Sequence, residues 1–353
     1  MTLRPHACHQ RPCAARQQSH ASLMQPGAAL PGPYPHQTGA ALLMAMLTVA
    51  LVASLAAGAL WQQWRSVEVE AAERTRVQSQ WVLIGALDWA RLILREDFRA
   101  DGAADHLAEP WAVPLEEARL STFLASDKTT SLENDDSASE TFLSGLISDL
   151  QARLNVFNLI DNGKVSKPSL QAFAKLFEQL GLPPAELTAL TENLRLAQDP
   201  RLDSNAAQQA PLLPQRVDQL VWLGLSPRSL AVLRPYITLL PMRTPVNLNT
   251  ASATVLYACI PALDMAGAQR LLSARQNAHF RTLADAAALL GQGVGPLTET
   301  QHSVNTHFFE ILGRLRLEQS VVEERSVVQR EQLHVNTLWR ERGNQGPQNS
   351  PLQ

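Results

Sequence analysis

The sequence contains little of what many common functions require. It has 3 cysteines in 353 residues, too few for a disulfide framework, and only 5% aromatic residues. The motifs of phosphate-binding loops, serine hydrolases and zinc peptidases do not occur. The histidines from His279 onward are scattered, with no acid or nucleophile at a spacing typical of catalysis. We therefore predict a protein that is not an enzyme and requires no cofactor.

One long stretch contains no charged residue, and the part of the chain that follows it is weakly negative. No Asp, Glu, Lys or Arg occurs between Gln17 and Trp64. The formal net charge is −3, from 30 basic and 33 acidic residues. Three of the basic residues and none of the acidic ones lie before Ala40, so the remainder carries −6. A large nucleic-acid surface needs an excess of basic residues, so this balance argues against a nucleic-acid partner.

Residues 40–60 form an almost unbroken apolar run. As a helix this run measures roughly 32 Å, close to the hydrocarbon thickness of a bilayer. Trp61 and Trp64 follow it, and such rings favour the membrane–water interface. We predict a single membrane span; the alternative is a cleaved secretory signal peptide, whose apolar core is usually shorter. The residues assigned to the anchor are Leu42, Leu43, Met44, Leu47, Val49, Leu51, Val52 and Leu55.

The helical pattern continues beyond the apolar run. Residues 65–99 contain no proline and one glycine, Gly85. Apolar residues recur at three- and four-residue spacing, which predicts that one helix of roughly fifty-five residues runs to about Leu94. The predicted buried stripe consists of Val77, Trp81, Ile84, Leu87, Ala90 and Leu94.

Two strand regions follow, separated by an acidic loop. Residues 115–124 favour a strand, and 142–157 alternate between apolar and polar positions, which predicts a pair of strands. The loop at 126–140 is either a calcium site, since calcium takes several oxygen ligands, or an ordinary acidic hairpin loop. The candidate calcium ligands are Asp127, Glu133, Asp135 and Asp136.

From Pro168 the apolar period becomes helical. Helices are predicted at 168–180, 187–196, 217–223, 229–233, 251–260, 265–275 and 282–290, with Asn249 or Thr250 as the N-cap of the fifth. Strands are predicted again at 307–318, 321–332 and 333–339, as an antiparallel meander. Because strands lie on both sides of the helical block, one sheet with a helical insertion is the economical arrangement.

Residues 246–290 resemble a helix-hairpin-helix segment. In DNA-binding members, glycines in the hairpin turn let backbone N–H groups approach a phosphate. The turn here, residues 261–265, contains no glycine, and Asp264 would repel phosphate. We interpret the segment as a protein-interaction module. The alternative is a membrane-anchored DNA-binding receptor that uses this segment.

Taken together, these features resemble the minor pseudopilin K family of the bacterial type II secretion system, also called general secretion pathway protein K. The resemblance covers residues 39–343 and depends on the order and spacing of four motifs. They are Gly-Ala-Ala-Leu-Leu at 39–43, Asp-Leu-Gln-Ala-Arg-Leu-Asn at 149–155, Val-Asn-Leu-Asn-Thr-Ala-Ser at 246–252, and the closing strands with Leu-Trp-Arg-Glu at 338–341.

The resemblance implies an α+β fold. A long N-terminal transmembrane, pilin-like helix would pack on an antiparallel sheet that carries a large all-α insertion, SAM-like and helix-hairpin-helix-like. The implied divisions are a leader at 1–39, with Met1 or Met24 as the start, the transmembrane segment at 40–60, the rest of the helix at 61–100, the first part of the pilin-like domain at 101–160, the insertion at 161–300, the closing strands at 301–343 and a tail at 344–353.

The resemblance also implies processing and partners. Prepilin peptidase would cleave after Gly39 and methylate Ala40, leaving a single-pass protein of the inner membrane with its bulk in the periplasm. That protein would bind the minor pseudopilins I and J and other pseudopilus subunits at the pseudopilus tip. There it would initiate assembly of the pseudopilus that exports folded proteins across the outer membrane.

One position separates this family from other pilin-like subunits. Those subunits usually carry Glu at the fifth residue of the mature chain, where it pairs with a neighbour's N-terminal amine. Here that residue is Met44. The K family also lacks the Glu, as suits a topmost subunit. A second feature departs from the pattern, because no Lys or Arg immediately precedes Gly39.

We predict that Gly39→Ala blocks maturation, because a methyl group is added at the residue before the scissile bond, where the family has glycine. The measurement is mass spectrometry of the N-terminus after co-expression of the full chain with prepilin peptidase. Gly27→Ala, the same change elsewhere in the leader, is the control and should be cleaved normally. Normal cleavage of Gly39→Ala would show that the site is assigned wrongly.

Overall fold

The computed structural model describes residues 38–101, 104–121, 141–199, 210–291, 293–317 and 320–345. The chain divides into two compact units, Met1–Glu70 and Ala71–Gln353. The calcium candidates Asp127, Glu133, Asp135 and Asp136 and the leader before Thr38 lie outside the described residues.

The helices are α1 (Thr38–Asp101), α2 (Lys167–Gln179), α3 (Pro184–Ala197), α4 (Pro227–Leu233), α5 (Ala253–Cys259), α6 (Met265–Asn277) and α7 (Leu283–Ala287). The longer strands are β1 (Leu115–Arg119), β2 (Thr141–Asp149), β9 (Phe308–Leu317), β10 (Ser320–Glu331) and β11 (His334–Gln345). The short strands are β3 (Leu154–Asn155), β4 (Ile160–Asp161), β5 (Lys164–Val165), β6 (Ile237–Thr238), β7 (Val246–Asn247) and β8 (His302–Ser303).

The part of α1 in the first unit has the properties of a membrane span. The helix is long and apolar enough to cross a membrane, with a mean hydropathy of 2.3 in its most apolar window. Its side chains are exposed, Leu43 and Val49 each by 68%. The hydroxyls of Thr48 and Ser54 donate to carbonyls within the helix, at 2.9 and 2.8 Å. These two polar residues are therefore compatible with lipid.

The second unit is built on an antiparallel sheet in the order β1-β2-β9-β10-β11. β9, β10 and β11 are consecutive hairpin strands, which confirms the predicted meander. β2 pairs with β9 although the helical block separates them in sequence. The strand–helix–strand pattern is therefore one sheet with an insertion, and the predicted α+β fold class is confirmed.

The second half of α1 packs on one face of this sheet. Leu87 and Leu94 join a core with Phe309 of β9 and Val328 of β10. Near Leu83 the helix and sheet come close: a Cβ added to Gly313 would lie 3.3 Å from Leu83 Cδ2. Gly313 faces Gly145 across the β2–β9 pair. The missing side chain at Gly313 lets Leu83 of the helix approach the sheet backbone, whereas a Cβ on Gly145 would meet the Leu312 carbonyl of the neighbouring strand at 3.2 Å.

The predicted stripe on α1 is correct at its C-terminal end and wrong at its start. The side chains buried along the helix are those of Ser79, Leu83, Leu87, Ala90 and Leu94. Val77 is 49% and Trp81 68% exposed, so both lie off the buried face. Apolar spacing alone favoured Val77 and Trp81, but the buried face carries Ser79 and Leu83 at the same helical spacing. The helix also extends beyond Leu94 to Asp101.

Of the two strands predicted in 142–157, the second is present only as the two-residue β3. β2 ends at Asp149, whose carboxylate accepts a hydrogen bond from the backbone N of Gln151 at 2.6 Å and starts a 3₁₀ turn, Leu150–Ala152. Asn155 accepts from the backbone N of Phe157 in the same way, at 3.1 Å. Short polar side chains that bond their own backbone compete with strand pairing. The alternation of apolar and polar residues after Asp149 therefore belongs to the turns that begin the helical block.

The helical block, residues 150–307, has its own core around α2, α3 and α5. Its fully buried members include Phe177, Leu190, Leu220 and Leu256. The predicted helices are present, except that Val217–Leu223 is a 3₁₀ helix. The N-cap of α5 is Ser252, whose hydroxyl accepts from the backbone N of Val255, so Asn249 and Thr250 were the wrong caps.

Candidate functional site at the junction of sheet and helical block

Arg330 is the ionic centre of the junction between α1, the sheet and the helical block. It lies near the end of β10 and is 3% exposed. Its guanidinium donates to the Asp97 carboxylate at 3.2 Å, to the Leu94 carbonyl at 3.3 Å and to the Asp105 carboxylate. It also donates to the Thr306 carbonyl at 3.2 Å. One side chain therefore joins the end of α1, the segment after it and the return from the helical block.

Two aromatic rings enclose this guanidinium. Its central carbon lies 4.8 Å from the ring centre of Phe309 and 5.4 Å from that of Phe98. Asp105 is bound a second time, since its other carboxylate oxygen accepts from the backbone N of Thr306 at 2.7 Å. A planar guanidinium suits such a site because it stacks on rings and donates several hydrogen bonds in fixed directions.

A second buried carboxylate, Asp149, begins the helical block. It accepts from Asn247 Nδ2 at 2.9 Å and from Thr250 Oγ1 at 2.5 Å. The same Asn247 amide donates to the Asp105 carbonyl at 3.1 Å, which links the two carboxylate sites. Burial raises the pKa of Asp149 to about 6, and the Thr250 hydrogen bond opposes this shift.

The Val-Asn-Leu-Asn-Thr motif, residues 246–250, supplies several of the buried hydrogen bonds of this junction. Asn249 bonds the backbone of Phe280 twice, by accepting from its N at 2.8 Å and donating to its carbonyl at 2.9 Å. The Gln151 amide also uses both of its groups: it donates to the Pro245 carbonyl at 3.1 Å and accepts from the His307 backbone N at 2.7 Å. Buried amides that use both donor and acceptor fix the relative position of the segments they join.

Glu109 is the fourth acid of the junction, after Asp97, Asp105 and Asp149. It is 7% exposed and accepts from Trp111 Nε1 at 2.6 Å and from the His106 backbone N at 2.9 Å. Burial raises the pKa of Glu109 to about 7, and the negative charges of Asp97 and Asp105 add to the effect. The His106 ring stacks on that of His279 at 3.8 Å, so this segment also touches the helical block.

Three of these four carboxylates, all except Asp149, form a cluster with the spacing of a metal site. Oxygens of Asp97, Asp105 and Glu109 all lie within 4.8 Å of one another. The Arg330 guanidinium bonds two of them, and the raised pKa of Glu109 favours a proton on the third. The arginine and the proton thus supply the positive charge that a metal would supply. We interpret the cluster as a structural ionic centre.

The helix-hairpin-helix segment is α5, its turn and α6. Asp264 caps α6, because its Oδ1 accepts from the backbone N of Gly267 at 2.7 Å. A phosphate approaching this helix N-terminus would meet a carboxylate already bound there. The geometry therefore disfavours the phosphate contact on which the DNA-receptor alternative depends.

The sequence-predicted site residues within the described part of the chain belong to the first unit, whereas the junction belongs to the second. Gly39 and Ala40 are in the first turn of α1, and the anchor residues from Leu42 to Leu55 are exposed along it. Sequence reasoning missed Arg330, Asp105 and Glu109. No local pattern marks them, because their partners lie between 24 and 236 residues away or in irregular segments.

Comparison with known proteins places the helical block in a described family. Two family models, each described as type II secretion system protein K, match residues 152–242 and 246–305. The chain is 28% identical over 325 residues to the type II secretion system protein K of Pseudomonas aeruginosa, across 86% of this chain and 89% of that protein. It is 28% identical over 288 residues to the protein of the same name from Klebsiella pneumoniae, across 75% and 82%.

The fold is also found among solved structures. The chain is similar to one chain in the crystal structure of the GspK–GspI–GspJ complex from the enterotoxigenic Escherichia coli type 2 secretion system, with a TM-score of 0.53 and 17% identity. The match covers 78% of this chain and 99% of that one. At this identity, the likeness shows a shared fold.

We predict that Glu109→Gln stabilises the fold increasingly as the pH rises. The folded pKa of about 7 lies above the ordinary 4.5. Glu109 therefore binds its proton more tightly in the folded chain than in the unfolded chain. The stability that this proton contributes is fully present below pH 4.5 and is lost as the pH rises through 7, because the folded chain must then bury a charged carboxylate. A neutral amide should change stability little at pH 4 and add about 2 kcal/mol at pH 8.

The measurement is denaturant unfolding of the full chain in detergent micelles at pH 4 and pH 8. Glu96→Gln, an exposed position on α1, is the matched control and should give no pH-dependent gain. An equal effect of Glu109→Gln at both pH values would contradict the raised pKa.

Proposed function

The chain belongs to the protein K family of the type II secretion system, and we propose that it is a minor pseudopilin that acts at the tip of the pseudopilus. The observation that carries the proposal is a sheet interrupted by a large helical block. β2 and β9 are neighbours in the sheet, yet residues 150–307 lie between them in the chain. A block of this size would obstruct a further subunit stacking above it, which favours a terminal position.

The junction supports this role because it holds the block in one position. Arg330, Asp149 and Asn247 together join α1, the sheet and the block through buried hydrogen bonds. A block on a flexible tether could swing aside from a growing filament. A block held by buried ion pairs cannot do so without losing several kcal/mol of favourable interactions, of order 3 to 5.

The long apolar helix supports an anchor in the inner membrane, with the second unit in the periplasm. Prepilin peptidase would cleave after Gly39 and methylate Ala40, and residues 40–60 would span the bilayer. Met44, at the fifth mature position, lacks the carboxylate that would pair with another subunit's amine. This absence suits a subunit with no neighbour above it.

The partners we propose are the pseudopilins I and J, because a relative of the same fold is named in a complex with GspI and GspJ. α1 offers a surface to them opposite its buried stripe. Val77, Trp81 and Leu92 recur there at helical spacing and are 49%, 68% and 42% exposed. An exposed apolar stripe on a helix is suited to packing against another helix.

We propose no catalytic role, because the chain matches a family of structural secretion components. Calcium remains a proposal for the loop that carries Asp127, Glu133, Asp135 and Asp136. Calcium would hold this loop by neutralising its adjacent carboxylates.

We predict that the double substitution Trp81→Ala, Leu92→Ala weakens binding of the full chain to pseudopilins I and J by about tenfold or more, since exposed aromatic residues often dominate interfaces. The measurement is co-purification after co-expression of the three full chains. Trp222→Ala is the matched control, because Trp222 is 48% exposed but lies in the helical block.

Two results would contradict different parts of the proposal, the first the assembly role and the second the contact face on α1. Failure of the unsubstituted chain to co-purify with I and J at micromolar concentration would count against the assembly role itself. Normal complex formation by the double variant would leave that role intact and exclude this face of α1 as the contact.

A further inference from the structure

Lys175 makes an unusual set of contacts inside the helical block. It lies on α2, half-buried, and its ammonium donates to three backbone carbonyls of the α5–α6 hairpin. The distances from Nζ are 2.5 Å to the carbonyl of Tyr257, 3.1 Å to that of Ile260 and 3.2 Å to that of Leu263. The face of the Tyr257 ring lies on a further side, with its centre 4.2 Å from Nζ.

In the described part of the chain, every hydrogen-bond acceptor of this ammonium is a neutral carbonyl. A buried lysine is normally paired with a carboxylate. Burial lowers the pKa of Lys175 below its usual value, as expected for a charge held without such a partner. The hydrogen bonds of this group therefore go to oxygen dipoles alone, with a ring face beside them, while the charge of Glu178 on the same helix acts on it without a hydrogen bond.

The geometry of the hairpin explains why these carbonyls converge. The last carbonyls of a helix have no intrahelical donor and carry the negative end of its dipole. After α5 the chain reverses through Ala262, which has a φ of 56°, so that the Leu263 carbonyl joins those of Tyr257 and Ile260.

Other carbonyls of the same turn already have different donors. That of Cys259 lies 3.2 Å from His302 Nε2, and that of Pro261 accepts from the backbone N of Gly295 at 3.0 Å. The Ile260 carbonyl also accepts from the backbone N of Leu263 at 3.3 Å, and it points together with the carbonyls of Tyr257 and Leu263 to one place, which the Lys175 ammonium fills. Converging backbone carbonyls are also the ligands by which proteins bind potassium and similar hard cations.

We propose that the α5–α6 turn is a monovalent-cation site that the chain fills with the ammonium group of Lys175. The tethered ammonium makes the hairpin independent of dissolved cations. Removing it would leave three carbonyls aimed at an open position, which potassium or sodium would enter from solvent because the site is only half-buried. This inference is independent of the proposed role in secretion.

The test is thermal unfolding of full-length Lys175→Met in detergent micelles, in equal concentrations of choline, sodium or potassium chloride. The expected result is a midpoint in choline at least about 4 °C below that of the unsubstituted chain, with part of the loss recovered in potassium or sodium. The unsubstituted chain should unfold at the same temperature in all three salts. Lys164→Met, an exposed lysine on β5, is the control and should behave like the unsubstituted chain.

An unchanged midpoint in choline would overturn the proposal, as would an equal loss in all three salts. If Lys175→Met does not fold in choline, the refolded fraction in each salt replaces the midpoint. A higher fraction in potassium or sodium than in choline would support the cation site. Equal fractions would overturn it.

Discussion

The buried pairing of Arg330 with Asp97 and Asp105 is the constraint on which the rest of the second unit depends. One guanidinium reaches the end of α1, the segment that follows it and the end of the helical block. Removing one partner from such a pair leaves a buried charge uncompensated, a loss of about 3 to 5 kcal/mol. Arg330 can reach all of these partners only in one arrangement. That arrangement constrains where α1 ends, the register of β10 and the path of the chain into β9. Glu109 adds a third acid, which the site tolerates best when it is protonated.

This constraint explains how the helical block can be inserted between two neighbouring strands of a small sheet without disrupting their pairing. The two ends of the block, after Asp149 and before Phe308, are adjacent in the sheet, so the block closes on itself. Its core is separate from the one beneath α1. The connection between block and sheet combines a small apolar cluster of Leu150, Leu240, Phe308 and Val327 with the buried polar side chains of the junction. Buried hydrogen bonds are directional and specify one arrangement, whereas an apolar contact would permit several. The proposed position at the pseudopilus tip would require such a fixed arrangement of the block.

The sequence was informative where structure follows from a local period. The long helix, the helices around Phe177 and Leu190 and the closing strands all follow from apolar spacing of 3.6 or 2 residues. Predictions from the sequence were wrong where a polar side chain can hydrogen-bond either to its own backbone or to a distant segment. Asn249 had the residue type of a helix cap but bonds Phe280, 31 residues away. Trp81 fitted the helical period but is exposed, because the face of a helix that becomes buried is set by what packs against it.

The proposed position of this chain at one end of the pseudopilus can be tested directly. The measurement is electron microscopy of isolated pseudopili assembled with a full chain that carries an epitope after Gln353, detected by gold-labelled antibody. We expect at most one label per filament, always at the same end. Labels spaced along the filament would mean that the chain stacks like a major subunit despite its helical block, and would exclude the terminal position.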